Sequence, residues 1–382
     1  MTPLRRHAVR AGALAALVLV AGCGGTTASS TAEPTAPEHS ADHSAEPVSA
    51  EAAATDELFA DVTEDDPGCT IAVGRDGEVA YAAAFGSADL DRGDAMSPDT
   101  VVDIGSVSKQ FTATAIAMLA ERGEVDLDAA VSAYLPGLPA WADIVSVRQL
   151  VHHTSGIPDY IDLLLDAGVE FSDPSTDADT FTVLAAAPEL DFEPNTAYSY
   201  SNSNYFLLGQ VVVAVTGMSL GDFLQAEVFD PLGMDAVMDP VSRIPGKATS
   251  YEFDGEEWVV ADSPWQQTGD GAVQTTPSEL ITWASEYWDP MLADVVDTEA
   301  RLLDAVETDE PGQLYGYGII ETTLEDGERV LMHSGAWSGF LSSFVVAPDA
   351  QVAVALTCAA HEMTPESDYD DLGLDVLELW LA

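Results

Sequence analysis

The chain has 382 residues, of which 12 are basic and 66 acidic, a formal net charge of −54, and 47% are hydrophobic. That apolar share supports a large core and excludes an acidic disordered chain. The charge argues against nucleic acid or an anionic membrane surface as partner, because phosphates would be repelled.

Arg5, Arg6 and Arg10 precede a short apolar run, Ala11 to Val20, too short to span a bilayer, so residues 1–22 read as an export signal. Val20-Ala-Gly-Cys23 resembles the bacterial lipoprotein cleavage box and predicts Cys23 as a lipidated first residue. The alternative is ordinary cleavage with Cys23 incidental. Either way the expectation is an exported protein, secreted or held at the outer face of the cytoplasmic membrane by a lipid anchor alone. Residues 23–56, rich in Thr, Ser, Ala, Glu and Pro, predict a disordered tether; His39 and His43 fall within it. The globular part is expected over 57–382.

Glu51 to Val62 reads as a short helix. Cys69 to Val73 and Glu78 to Ala82, joined through Asp76-Gly77, predict a β-hairpin. A helix opens at Ser106 and stops at Gly123. Further helices are predicted over Asp126–Pro136, Ser146–His153, Asn204–Val215, Ser219–Phe229 and Pro277–Trp288. Tyr317–Glu321, Val330–His333, Leu341–Ala347 and Val352–Cys358 then read as strands, and Asp368–Leu381 as a closing helix. This order implies one sheet, formed by about 57–105 and 311–382, split by a helical insertion over about 106–310. Cys69 opens the first strand and Cys358 closes the last. If those strands are antiparallel neighbours the sulfurs meet as a disulfide; otherwise they are two buried thiols.

The chemistry centres on Ser106-Val-Ser-Lys109. The chain has two lysines, Lys109 and Lys247, and the first sits inside an apolar, alanine-rich helix. Three residues apart, Ser106 and Lys109 share one helical turn, so an amine stands beside a hydroxyl at a helix N-terminus. A buried lysine lowered toward neutrality is a usable base. Gly217-Met-Ser-Leu-Gly221 fits a nucleophile elbow, but no repeated β-α-β units surround it. The cysteines are scattered and no C-x-x-C occurs, so neither a metal nor a cofactor is expected.

Ser106-Val-Ser-Lys109, Tyr200-Ser-Asn202 and His333-Ser-Gly335, in this order, resemble the three motifs of the penicillin-recognising serine hydrolases. Arg148 to Asp159, Leu207-Leu-Gly209, Pro231 to Met234 and Gly269-Asp-Gly271 match further pieces. The resemblance implies a β-lactamase/transpeptidase-like α/β (α+β) fold, with an antiparallel five-stranded sheet flanked by helices and an inserted all-helical subdomain. It implies that Ser106 is acylated, that Lys109 is its partner, and that Tyr200, acidified by Lys109, acts as base and then acid. Which of the two takes the first proton stays open. Asn202, His333, Ser334 and Gly335 are expected to bind substrate, and the backbone N–H groups of Ser106 and Ala336 to form the oxyanion hole. His152 and His153 read as structural.

The β-lactamases of this group usually carry lysine where this chain has His333, which is mostly neutral at pH 7 if unperturbed. That weakens penicillin as a physiological substrate. The expected activity is D,D-carboxypeptidase- or D-aminopeptidase-type amide hydrolysis on a small-molecule or peptide substrate. An esterase and a non-catalytic β-lactam or peptide sensor are the alternatives.

Overall fold

The structure, a computed structural model, describes residues 49–293, 296–361 and 369–382. The export signal, Cys23, His39 and His43 lie outside the described residues. The domain begins before residue 57, inside the expected tether. Ser49 caps helix α1 (Ala50–Leu58) by accepting from the Ala52 N–H at 3.1 Å. Ala52, Thr55 and Phe59 are buried. Trp380 donates its indole N–H to Thr55 Oγ1 at 3.0 Å, which ties these residues to the closing helix.

The main sheet is antiparallel throughout. Its strands are β1 (Cys69–Arg75), β2 (Glu78–Phe85), β3 (Val306–Glu307), β4 (Leu314–Tyr315), β5 (Ile320–Thr323), β6 (Arg329–Trp337), β7 (Phe340–Ala347) and β8 (Val352–Cys358), in the spatial order β3-β4-β5-β6-β7-β8-β1-β2. It therefore has eight strands rather than five. Two of the additions, β3 and β4, are two residues long and add onto one edge, too short to show a period of two. Cys69 lies opposite Cys358 in the β1–β8 register, and the two sulfurs are bonded.

Alternation along the central strands decides which layer covers each face. Ile71, Val73, Val354 and Leu356 point into one core with Val376, Leu377 and Trp380 of the closing helix Tyr369–Leu381. Ala72, Ala353 and Ala355 point into the other, larger core. There the helix Pro277–Ala284, capped by Thr276, packs on β8 and β1. Its return to the sheet takes it out of the helical insertion to which its position in the chain assigns it.

The helical part is organised round α2 (Lys109–Glu121), in which every residue from Lys109 to Leu119 is buried. A helix buried on all sides lies between layers rather than on one. The helix Asn202–Thr216 packs along it. Small antiparallel strands (Val102–Asp103, Val237–Met238, Tyr251–Phe253, Trp258–Val260 and Val273–Thr275) make this part mixed rather than all-helical. Asp126–Pro136 forms turns and a 3₁₀ segment at Val131–Ala133, because the Val131 N–H is drawn off to the Val145 carbonyl at 2.9 Å. Three helices stand where no prediction was made, Tyr160–Asp166 capped by Asp159, Asp177–Ala186 opened by a Thr176–Asp179 capping box, and the single turn Thr298–Arg301 capped by Asp297. Gly217–Gly221 joins two helices, with Ser219 capping the second, so it is no strand-to-helix elbow. No single helix among the described residues is long and apolar enough to cross a membrane.

Candidate active site

Ser106 sits in a 3₁₀ turn, Gly105–Ser108, that leads directly into α2. The turn is fixed from below, where Asp103 Oδ1 accepts from the Gly105 N–H at 2.9 Å and Asp103 Oδ2 accepts from Gln274 Nε2 at 2.6 Å. It presses against β6 at two glycines. A Cβ on Gly105, whose φ is +48°, would lie 2.7 Å from Ala336 N; one on Gly335 would lie 2.1 Å from the Ile104 carbonyl oxygen. Only hydrogen side chains permit that approach. It brings the backbone of Ser106 beside that of Gly335 and Ala336, where two N–H groups can converge on one oxyanion.

The β5–β6 pairing stops at Ile320 opposite Met332, so among the described residues β6 has no partner strand on that side from His333 onward. His333, Ser334, Gly335 and Ala336 thus form a free strand edge at the cleft, the arrangement in which an extended substrate adds as a further strand.

Lys109 is fully buried, and its Nζ donates to Ser106 Oγ at 3.0 Å, to Asn202 Oδ1 at 2.8 Å and to the Asp270 carbonyl at 2.7 Å. Three acceptors match the three protons of an ammonium. Burial nevertheless pulls its pKa down to about 8, against the opposing influence of Asp270 and Asp159. Asn202 is held in turn by Asp159 Oδ2, which accepts from its backbone N–H at 2.7 Å and from Nδ2 at 2.9 Å. Its carbonyl oxygen is therefore engaged by Lys109 and one amide proton by Asp159. Asp270 Oδ2 accepts from Tyr160 at 2.9 Å, and burial pushes this carboxyl up to about 6 although Lys109 opposes the rise. Burial likewise raises Asp159, against the hydrogen bonds it accepts from the Asn202 and Ile161 N–H groups.

The Ser106 hydroxyl is near enough to the Tyr200 phenol to favour its ionised form, so the phenol stands beside the serine. The expectation that Lys109 acidifies it fails. Although 37% of Tyr200 is accessible, desolvation at its position, with Asp270, Tyr198 and Tyr205 adding to it, pushes the phenol well above its usual range. Lys109 Nζ lies 4.9 Å from the centre of the Tyr200 ring, over its face, and spends its protons elsewhere.

His333 is also buried. Its Nδ1 donates to the Ser334 carbonyl at 2.6 Å, which leaves Nε2 to accept from the Tyr315 hydroxyl at 3.2 Å. Burial, with Lys109 adding to it, pulls the imidazole down to about 4, so it is neutral with both nitrogens engaged. His153 stacks on Tyr200 with ring centres 4.4 Å apart, and its Nδ1 accepts from the Ser201 N–H at 3.1 Å. It is therefore structural, as expected, but it braces the tyrosine as well as the turn before Gly156. His152 bonds the Tyr315 carbonyl at 3.3 Å. Beyond Ala336, Trp337 meets Trp265 at 5.7 Å and Phe171 at 5.7 Å between ring centres, an aromatic wall along the cleft.

The structure thus gathers Ser106, Lys109, Tyr200, Asn202, His333, Ser334, Gly335 and Ala336 round one cleft. Sequence reasoning missed roles for Asp159, Asp270 and Tyr315. The first two stand in the matched segments ending at Asp159 and spanning Gly269–Gly271, which was the available signal.

A family model described as Beta-lactamase matches residues 55–377. Among curated proteins, the chain is 28% identical over 300 residues to Penicillin-binding protein 4* of Bacillus subtilis (strain 168), covering 72% of this chain and 64% of that one. It is 31% identical over 282 residues to a D-aminopeptidase of Gluconobacter oxydans (strain 621H), covering 72% of this chain and 52% of that one. The chain therefore spans about half to two thirds of the length of these relatives. Among solved structures, a penicillin-binding protein homologue from Pyrococcus abyssi superposes with a TM-score of 0.75 at 26% identity, covering 87% of this chain and 76% of that one.

Proposed function

The chain belongs to the β-lactamase family of serine hydrolases, and on that premise we propose that it hydrolyses amides of D-amino acids through an acyl-enzyme on Ser106. The carrying observation is the 3.0 Å contact between Ser106 Oγ and a lysine whose pKa burial has pulled down to about 8. Neutral Lys109 takes the Ser106 proton as Oγ bonds to the substrate carbonyl carbon, and the oxyanion forms against the N–H groups of Ser106 and Ala336. The phenol of Tyr200, raised and so protonated, gives its proton to the departing amine as the C–N bond breaks, and recovers from Lys109 the proton taken from Ser106. Neutral Lys109 then takes a proton from water as its oxygen bonds to the acyl carbon, and returns that proton to Ser106 Oγ as the ester bond breaks, which releases the acid and restores the serine.

Substrate class follows from His333. Neutral and fully engaged, it offers no cation to a carboxylate beside the scissile bond, unlike the lysine usual in β-lactamases of this group. Amides without that carboxylate, as in the removal of an N-terminal D-residue, fit better than β-lactams, and neutral esters fit for the same reason. The aromatic wall of Trp337, Trp265 and Phe171 supports apolar groups on the substrate. Export and attachment through Cys23 belong to the same proposal and rest on the basic start and the Val20–Cys23 box. A fluorophosphonate probe should label wild type and not Ser106→Ala, and D-alanine p-nitroanilide should be hydrolysed faster than nitrocefin. An unlabelled wild type, or equal labelling of both proteins, would refute the acyl-enzyme.

A further inference from the structure

Of the 12 basic residues, Arg5, Arg6 and Arg10 lie outside the described residues. Most of the others are already committed. Arg92, Arg122, Arg148 and Arg329 each pair with carboxylates. Arg75 donates to the Trp380 carbonyl, and Arg301 is buried against the rings of Trp283 and Tyr287. Lys109 belongs to the site above. The remaining two, Arg243 and Lys247, make no ion pair among the described residues, and both line one cleft of about 880 Å³.

In a chain with more than five acidic side chains per basic one, two uncommitted cations in one cavity run against the composition. The acidic groups there do not cancel them by contact. Asp94 is taken by Arg92, and Asp99 and Asp262 line the walls without pairing. Lys247 is felt by Asp103 and Asp239 at longer range and bonds to neither. Its Nζ is placed instead over the Phe340 ring, 4.9 Å from the centroid. A cavity of this size suits a ligand rather than a solvent channel.

The cleft adjoins the candidate active site. Pro240 lines both it and a small cavity bounded by Asp270 and Trp337. Phe340 is the cross-strand partner of Trp337, the residue after Ala336. We propose that Arg243 and Lys247 form a subsite for a carboxylate that the substrate carries some distance from its scissile bond, so that the preferred substrates are anionic peptides of D-amino acids. This rests on the hydrolase reading above. It places at the far end of the cleft the cation that His333 does not supply near the bond. An ammonium and a guanidinium facing one carboxylate are the usual strong donors for it.

The test is calorimetric titration of full-length Ser106→Ala protein with D-alanyl-glycyl-glycine and with its carboxamide. The carboxylate form should bind about tenfold tighter. That preference should vanish in the Ser106→Ala protein that also carries R243Q and K247Q, and survive R122Q, which alters a paired cation elsewhere. Equal affinity, no binding of either peptide at millimolar concentration, or a preference that outlasts the double substitution overturns the proposal. Sulfate bound at Arg243 and Lys247 without discrimination between the peptides also overturns it, by making this a small-anion site. Failure of the hydrolase reading would appear separately, as an unlabelled wild type with fluorophosphonate.

Discussion

If Lys109 is the first base, the rate must follow its deprotonation. At a pKa of about 8 the amine is neutral in about 1 molecule in 10 at pH 7, against roughly 1 in 3000 for a lysine at its usual value of 10.5. Burial therefore supplies a gain of roughly 300-fold in usable base. Lysine loses charge as pH rises, so kcat/KM for D-alanine p-nitroanilide should climb about tenfold per pH unit below 7, bend near pH 8 and level by pH 9. Asp270 and Asp159 both hold the lysine proton on. Asp270→Asn removes one such influence and should carry the bend to lower pH, raising the fraction of active enzyme at pH 6.5 even if the plateau falls. The assay is the full pH–rate profile of wild type and Asp270→Asn between pH 5 and 10. A profile flat from pH 6 to 9, or a bend that moves to higher pH in the variant, would refute the assignment.

Gly105→Ala should abolish fluorophosphonate labelling, because its Cβ would meet Ala336 N at 2.7 Å with φ at +48°; the expected cost to stability is about 1–3 kcal/mol, and normal labelling at normal stability would contradict the close-approach argument. Reducing the Cys69–Cys358 bond, which closes a separation of 289 residues, should lower the unfolding free energy by about 3–5 kcal/mol, read from urea curves with and without reductant; coincident curves would count against it. The buried imidazoles of His152 and His333 have pKa values near 4, below the 6.5 of the unfolded chain. The unfolded state thus binds more protons in between, so this stability is whole above about pH 6.5 and drains away as pH falls toward 4. Asp270, raised to about 6, offsets part of the loss. The melting temperature should fall between pH 7 and 5, and a rise over that interval would show that the imidazoles are not the controlling groups.

Ser106, Lys109 and Tyr200 were legible because the chain is so poor in lysine that one within an apolar helix stands out, and because the three motifs keep their order. Asp159 and Asp270 were not. Among 66 acidic residues a carboxylate carries no signal by itself, and Asp270 reaches Lys109 through its backbone carbonyl, for which any residue type would serve. Tyr315 was hidden because its hydroxyl meets His333 only when β4 joins the sheet edge, and two-residue strands leave no pattern to read. The long strands β7 and β8 were plain, since uncharged, β-branched-rich runs buried on both faces stand out in so acidic a chain. The apparent helix at Asp126–Pro136 failed because a partner distant in sequence captured its amide.

The hydrogen-bonded neighbours β1 and β8 are the first and the last strands of the sheet to be synthesised. Until residues 352–358 arrive, the opening hairpin lacks its inner neighbour and one face of each early strand stays uncovered. Assembly is thus deferred until β8 is made, a high-contact-order ordering of events that favours slow maturation and leaves the earlier strands open to chaperones meanwhile.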